Sequence, residues 1–262
     1  MKDKLAVQLF TLREECKKDF HGVLGRLSEM GWAGVQMAGC HDYDPSELAG
    51  EIRKLGMKTA GMHVKLDELR NELARVIAEA KLFDTPDIIC PITPLPMRSE
   101  LGYRQLKREL NGIAEELRTH GMRLSYHNHA FEFDLQVDEQ TALDFLLEPA
   151  STNHILAEID VYWIRRAGYD PSAYIRKFSQ RMPIIHLKDM TDDEEQAFAE
   201  IGTGTTIDFK QILSWGEGNG VEWYVVEQDK CLRDPMDCLQ VSWNNVNRMI
   251  AQLELEGVES HE

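Results

Sequence analysis

Eight times along this chain a short run of β-forming residues is followed by a longer stretch with helical spacing, at a period of roughly 30 residues, as repeated βα units require. The predicted strands are Leu5–Phe10, Gly34–Ala38, Lys58–His63, Asp87–Ile92, Arg123–His129, Ile155–Asp160, Ile184–Lys188 and Trp223–Glu227. Helices are expected from about Asp19 to Met30, Pro45 to Gly56, Asp67 to Leu82, Glu100 to His120, Glu139 to Leu147, Pro171 to Phe178, from near Asp208, and from Pro235 to Leu255. Asp19 reads as an N-cap, Pro45 as a first-turn residue, and Gly31 as a C-cap glycine. Strands that alternate with helices make a parallel sheet. Eight units favour its closure into a (β/α)₈ barrel over an open doubly wound sheet. No GxGxxG follows the first strand, which weakens a dinucleotide-binding reading.

At 262 residues the chain has the length of one such barrel, which is typically about 250 residues. No linker or change of composition divides it, so residues 1–262 are expected to form one domain, with 256–262 a frayed tail. The start, MKDKLAVQLFTLR, has no long apolar run, and no membrane span or signal peptide is expected. The five cysteines form no CxxC pair and are odd in number. That fits reduced, buried thiols and a cytoplasmic protein. A net charge of −16 repels phosphate backbones and disfavours nucleic acid as a partner. It also disfavours strongly anionic ligands, unless a local Lys or Arg overrides the field. No heptad or exposed apolar stripe announces an interface; a homo-oligomer is compatible with the sequence.

In a (β/α)₈ barrel the active site lies at the C-terminal ends of the strands. Those ends carry Gln8, Gln36, His63, then Pro91 and Thr93, His127 and His129, Asp160, His186 and Glu227. Asp160 closes the apolar run ILAEID and Glu227 closes WYVVE, where a carboxylate is costly unless paired or bound to a cation. Asp160 has a second reading as a turn or helix cap, although DVYW is not an obvious helix start. Four consecutive strands ending in metal-ligand side chains point to one divalent metal ion. Mixed imidazoles and carboxylates suit Mn²⁺ best, with Co²⁺, Mg²⁺, Fe²⁺ or Zn²⁺ also compatible. No thiolate joins them, which argues against a structural zinc. His127 and His129 share a face of their strand, and Glu158 lies one layer below Asp160. Glu158 therefore reads as an interior polar residue and not a ligand. Glu132, between two phenylalanines in AFEF, is a candidate acid–base group in a partly enclosed position. Trp163 could stack on a sugar face or simply cover a loop. Lys188 could hold a substrate oxygen, or pair with Glu158 or Asp189.

Several segments together resemble the sugar phosphate isomerase/epimerase superfamily, the xylose-isomerase-like barrels. They are VQLFTLR, GWAGVQMAG, MHV, YHNHAFEF, EIDVYWIRRAGYDP, RMPIIHLKD, IGTGTTIDF and WYVVEQD. The resemblance covers nearly the whole chain and implies a metal held by Glu, Asp, His and Glu on strands five to eight. Asp160, His186 and Glu227 match that set. His127 stands where the first glutamate is usual, so either His127 or Glu132 completes it. In the ketose 3-epimerases the two metal-bound glutamates form the proton-transfer pair, and only Glu227 remains of that pair here. Gln36 likewise stands where relatives often have Glu. The His-rich fifth strand resembles inosose dehydratases and enzymes of keto-sugars more than the 3-epimerases.

The implied function is an isomerase or epimerase of a sugar-like small molecule. It would remove a proton beside a metal-chelated carbonyl, with Glu227, His127 and Glu132 as catalytic candidates and Gln8, His63, His129, Trp163 and Lys188 as substrate contacts. The same first step followed by loss of a β-hydroxyl would make it a dehydratase of an inosose or keto-glycoside. An endonuclease IV-like phosphodiesterase would need more metal ligands and a basic rim. A barrel that binds sugars without chemistry is a further alternative, favoured by the His127 departure and opposed by the other three ligands.

Overall fold

The computed structural model describes residues 1–259. Eight strands, Leu5–Gln8, Gly34–Met37, Lys58–His63, Asp87–Cys90, Arg123–His127, Leu156–Asp160, Ile184–Leu187 and Trp223–Val226, form a closed barrel in which each neighbours the next and the eighth pairs with the first. Every pairing is parallel. Helices connect successive strands, so the expected (β/α)₈ barrel is the fold.

Alternation along the strands divides the core in two. Outward residues such as Val7, Val35, Ile88, Tyr126, Ile159, Ile185 and Val226 belong to the main apolar core, which they share with helix residues such as Leu24, Leu106 and Ile250. Ala6, Ala60, Ile89, Ile184 and Val225 form a separate small cluster inside the barrel, with Trp223 packed against it. Gly61 completes this layer. Its φ is +113°, and an added Cβ would meet Ile89 Cδ1 at 2.7 Å, so both backbone and space demand glycine. Two residues further along the strands the lining becomes polar and fully buried: Gln8, Gln36, Glu158 and His186. The apolar layer below therefore carries a polar platform just under the C-terminal mouth.

The strand ends fall one to two residues short of several predicted limits, and the residues beyond them enter loops. The first helix spans Arg13–Met30 instead of starting at Asp19. Asp19 leaves helical geometry inside it (φ −156°, ψ 80°) and accepts a hydrogen bond from Gly22 N at 2.9 Å. It thus caps a second segment, while an extra turn precedes it. The helix expected over 67–82 breaks at Glu72 into Leu66–Asn71 and Leu73–Leu82. Around Glu139 a two-stranded turn replaces the expected helix start, with Asp138 and Glu139 both at positive φ as a tight hairpin turn needs. The helix there is Ala142–Leu147, capped by Thr141. The segment Pro171–Phe178 divides into a helical turn, Pro171–Tyr174, and a 3₁₀ turn. The acidic stretch after the seventh strand holds a small antiparallel pair, Asp189–Met190 with Phe198–Ala199. The last helix runs Pro235–Glu259, so residues 256–259 of the expected frayed tail are helical; the final three lie outside the described residues. Among the described residues no helix is long and apolar enough to cross a membrane.

Candidate functional site

Glu158, in the sixth strand, organises the polar platform. Its Oε1 lies 2.6 Å from His63 Nε2, 3.1 Å from His127 Nδ1 and 3.1 Å from His186 Nε2. Its Oε2 accepts from Gln36 Nε2 at 2.6 Å. Gln36 Oε1 in turn accepts from Gln8 Nε2 at 2.6 Å and faces His186 Nε2 at 2.7 Å. An ionised carboxylate only accepts hydrogen bonds, so the facing nitrogens, His63 Nε2, His127 Nδ1 and His186 Nε2, carry the protons. Neighbouring His186 and His63 hold Glu158 well below the usual carboxylate range, although burial alone would raise it.

Two groups of side chains bring ligand-type atoms within 4.8 Å of one another: His63, His127, Glu158 and His186, and, above them, His127, Asp160, His186 and Glu227. The upper group joins the three expected residues Asp160, His186 and Glu227 to His127, one of the two residues expected to complete them. His127 Nε2 is 3.8 Å from Asp160 Oδ2, and His186 Nδ1 is 3.2 Å from Glu227 Oε2. Glu158 occupies the far nitrogen of each imidazole, which turns the near ones toward the two carboxylates. Such a carboxylate–histidine arrangement fixes tautomer and ring orientation for a metal. Two imidazoles and two carboxylates suit a borderline-hard divalent cation, and the residues present fit one. The lower group has one carboxylate, already engaged by three histidines, and fits less well. Burial pushes His127 down to about 3, reinforced by the His186 charge, so it presents a neutral ring. His186 goes the other way: burial opposes its charge, but Glu158 and Glu227 raise it to about 10.

Lys188 is fully buried and pairs with Asp160 Oδ2 at 2.8 Å, Glu227 Oε2 at 2.7 Å and Asp229 Oδ1 at 2.7 Å. Its expected pairing with Glu158 or Asp189 is corrected: Asp189 instead accepts backbone N–H groups of Met190, Gly202 and Gly204. Burial raises Asp160 to about 6, offset by Lys188 and reinforced by Glu227. The helix-cap reading of Asp160 also holds. Oδ1 accepts from Tyr162 N at 3.0 Å and Trp163 N at 3.4 Å, starting a helix Val161–Arg166 that the sequence DVYW did not announce. One carboxylate thus serves both the helix and the cluster, through different oxygens.

A cavity of about 410 Å³ opens above the cluster, with His63, His127, His129, Lys188, Glu227 and Asp229 on its walls. Three expected contacts lie elsewhere. Gln8 is fully buried beneath the cavity and bonded to Gln36. Trp163 packs beside His129 and Phe198, with ring centroids 5.3 and 5.9 Å away, and backs the wall without lining it. Glu132 is fully buried and turned away, accepting from Tyr126 Oη at 2.7 Å and His129 N at 2.9 Å. Burial raises it to about 7, but its carboxylate shapes the loop behind His129 and does not join the cluster. His129 itself extends past the end of the fifth strand, and its Nδ1 has no partner among the described residues.

A family model described as xylose isomerase-like TIM barrel matches residues 24–240. The chain belongs to this family. The barrel is 22% identical to the inosose dehydratase of Salmonella typhimurium (strain LT2), across 87% of this chain and 88% of that one. The solved sugar phosphate isomerase/epimerase of Parabacteroides distasonis ATCC 8503 superposes with a TM-score of 0.78 at 18% identity, covering 92% of this chain and 96% of that one. A probable 3-DHS dehydratase from Bacillus anthracis superposes with a TM-score of 0.74 at 12% identity, covering 93% and 98%.

Sequence reasoning missed some lining residues of this xylose isomerase-like barrel. Asp229 was within reach: it shares the parity of Glu227, as Lys188 shares that of His186. Arg13, Lys17, His41 and Lys65, also on the cavity wall, lie beyond the strand ends, where strand periodicity carries no information.

Proposed function

We propose that this barrel is a divalent-metal-dependent enzyme that removes a proton from the carbon next to the carbonyl of a keto-sugar or related keto-polyol. The observation that carries this reading is Glu227, whose carboxylate belongs to the ligand cluster, lines the cavity and is ion-paired with an ammonium. His127, Asp160, His186 and Glu227 would hold the ion. When bound, it would supply Lewis-acid polarisation of the substrate carbonyl. Burial opposes the charge on Glu227, but Lys188 and His186 hold it well below the usual carboxylate range, so it is ionised at neutral pH. Proximity does the rest, because a proton acceptor at the cavity floor needs little movement to reach a C–H of the bound substrate. Lys188, 2.7 Å from Glu227, places an ammonium charge beside that acceptor. His129 and His63 are the groups best placed to meet substrate hydroxyls.

Dehydration is the outcome favoured for this proton removal. Epimerisation needs a second acid–base group to return the proton to the other face, and the usual second glutamate is here His127, which is neutral and held by Glu158. Lys188 instead places an ammonium charge beside Glu227, where it would stabilise a departing β-hydroxyl. The curated relatives that match most of the chain, named inosose dehydratases, agree with this choice.

The test is proton exchange in D₂O, followed by NMR, with Mn²⁺ and a panel of inososes, ketoses and 3-keto-glycosides. Deuterium should enter beside the carbonyl, or water should be lost, for at least one substrate. Glu227→Gln should slow either reaction by about 10²-fold or more. Turnover of a substrate without a carbonyl, with no exchange in the panel, would refute the mechanism.

A further inference from the structure

The cavity wall carries a charge that the chain as a whole does not. In a protein of net charge −16, the lining includes Arg13, Lys17, Lys65 and Lys188 against two carboxylates, Glu227 and Asp229. Both carboxylates are already paired with Lys188. Lys17 is tied to Glu14 at 2.8 Å, which leaves Arg13 and Lys65, neither of which forms an ion pair among the described residues.

Arg13 is held in place by uncharged partners. Its guanidinium lies 4.3 Å from the Phe10 ring centroid, and Nη1 donates to Phe10 O at 2.7 Å. That leaves the remaining N–H groups of its planar fork without a partner among the described residues, and such a fork suits a carboxylate or phosphate. Arg13 is also the first residue of the helix Arg13–Met30, and Lys65 is the N-cap of Leu66–Asn71 with no side-chain capping hydrogen bond. A cation at a helix N-terminus opposes the helix dipole, so neither charge is there to stabilise its helix. Instead the two cations, one behind the first strand and one behind the third, make one arc of the rim positive. The ligand cluster comes from strands five to eight.

Building on the proposed reaction, we propose that the substrate carries an anionic group, a carboxylate or a phosphate ester, away from its reacting carbonyl, and that Arg13 and Lys65 bind it. A cavity of about 410 Å³ has room for a six-carbon chain with such a group.

Three unreactive probes with the same carbon skeleton test this: sorbitol, gluconate and sorbitol 6-phosphate, titrated calorimetrically into the protein at low ionic strength with and without Mn²⁺. At least one anionic probe should bind ~10-fold or more tightly than sorbitol, and added salt should shrink the difference. Which one does so separates carboxylate from phosphate. The preference should vanish in the Arg13→Gln/Lys65→Gln double variant, with Mn²⁺ affinity and melting temperature retained. If that variant folds poorly, the exposed single variant Lys65→Gln should still lose part of the preference. Equal binding of all three probes, or no binding of any, overturns the proposal. So does a preference that survives the double substitution, which for gluconate would mean that its carboxylate sits on the metal. If the wild type takes up no Mn²⁺ but keeps the anion preference, the rim site stands and the metal-dependent reaction falls.

Discussion

Glu158 is fully buried and touches three imidazoles and an amide through two oxygens. A carboxylate in that position is stable only because its neighbours supply charge and donors; alone it would be expelled or protonated. Its influence on the upper cluster is indirect, through the tautomers of His127 and His186. Glu158→Gln preserves the volume but presents an N–H₂ where one set of donors now points. Mn²⁺ affinity measured by calorimetry should fall about 10–100-fold, the usual consequence of losing such a supporting partner, while circular dichroism stays unchanged. An unchanged affinity would mean that Glu158 does not set the orientation of the two imidazoles.

The helix Val161–Arg166 shows how a short element is tied to the site. Six residues cannot hold a helix by propensity, so its start depends on Asp160 Oδ1 and its position on the buried Val161, Tyr162 and Ile164. The two oxygens of Asp160 can be separated experimentally. Asp160→Asn keeps a capping oxygen and loses the charge, whereas Asp160→Ala loses both. Both should abolish tight Mn²⁺ binding, and Asp160→Ala should be less stable than Asp160→Asn by about 1 kcal/mol in urea unfolding, the worth of an N-cap. Equal stabilities would show that the cap contributes nothing to this helix.

Across the whole barrel, chemistry and stability sit at opposite ends. At the base Arg123 donates to Asp87 Oδ1 at 2.5 Å and to Glu222 Oε2 at 2.6 Å, joining the starts of the fourth, fifth and eighth strands. Asp87 is almost fully buried, and burial raises its carboxyl in spite of Arg123. Removing the partner would strand it. Arg123→Ala should therefore cost up to about 3 kcal/mol, the lower end for a broken buried pair because Arg123 is partly in solvent, and leave Mn²⁺ affinity as in the wild type. A loss of metal affinity equal to that of an Asp160 variant would contradict the division between base and mouth.

The eight βα units, the barrel and the convergence of Asp160, His186 and Glu227 were legible from the chain because they rest on periodicity, whereas the choice between His127 and Glu132 was not. A strand alternates its faces, and the family of strand ends meets at one mouth. Gly31 as a C-cap and Asp208 as a helix start were equally local and equally legible. What periodicity does not encode is which way a side chain turns once the strand stops. Glu132, near in sequence to His127 and His129, points to Tyr126 outside the barrel wall, while Asp229 and Lys188 meet across 41 residues. The double role of Asp160, the three histidines on Glu158 and the cationic arc of Arg13 and Lys65 likewise depend on distances between different βα units. Such distances are set by barrel closure and packing, where burial forces every polar group to find a partner, and only the tertiary structure decides which partner it finds.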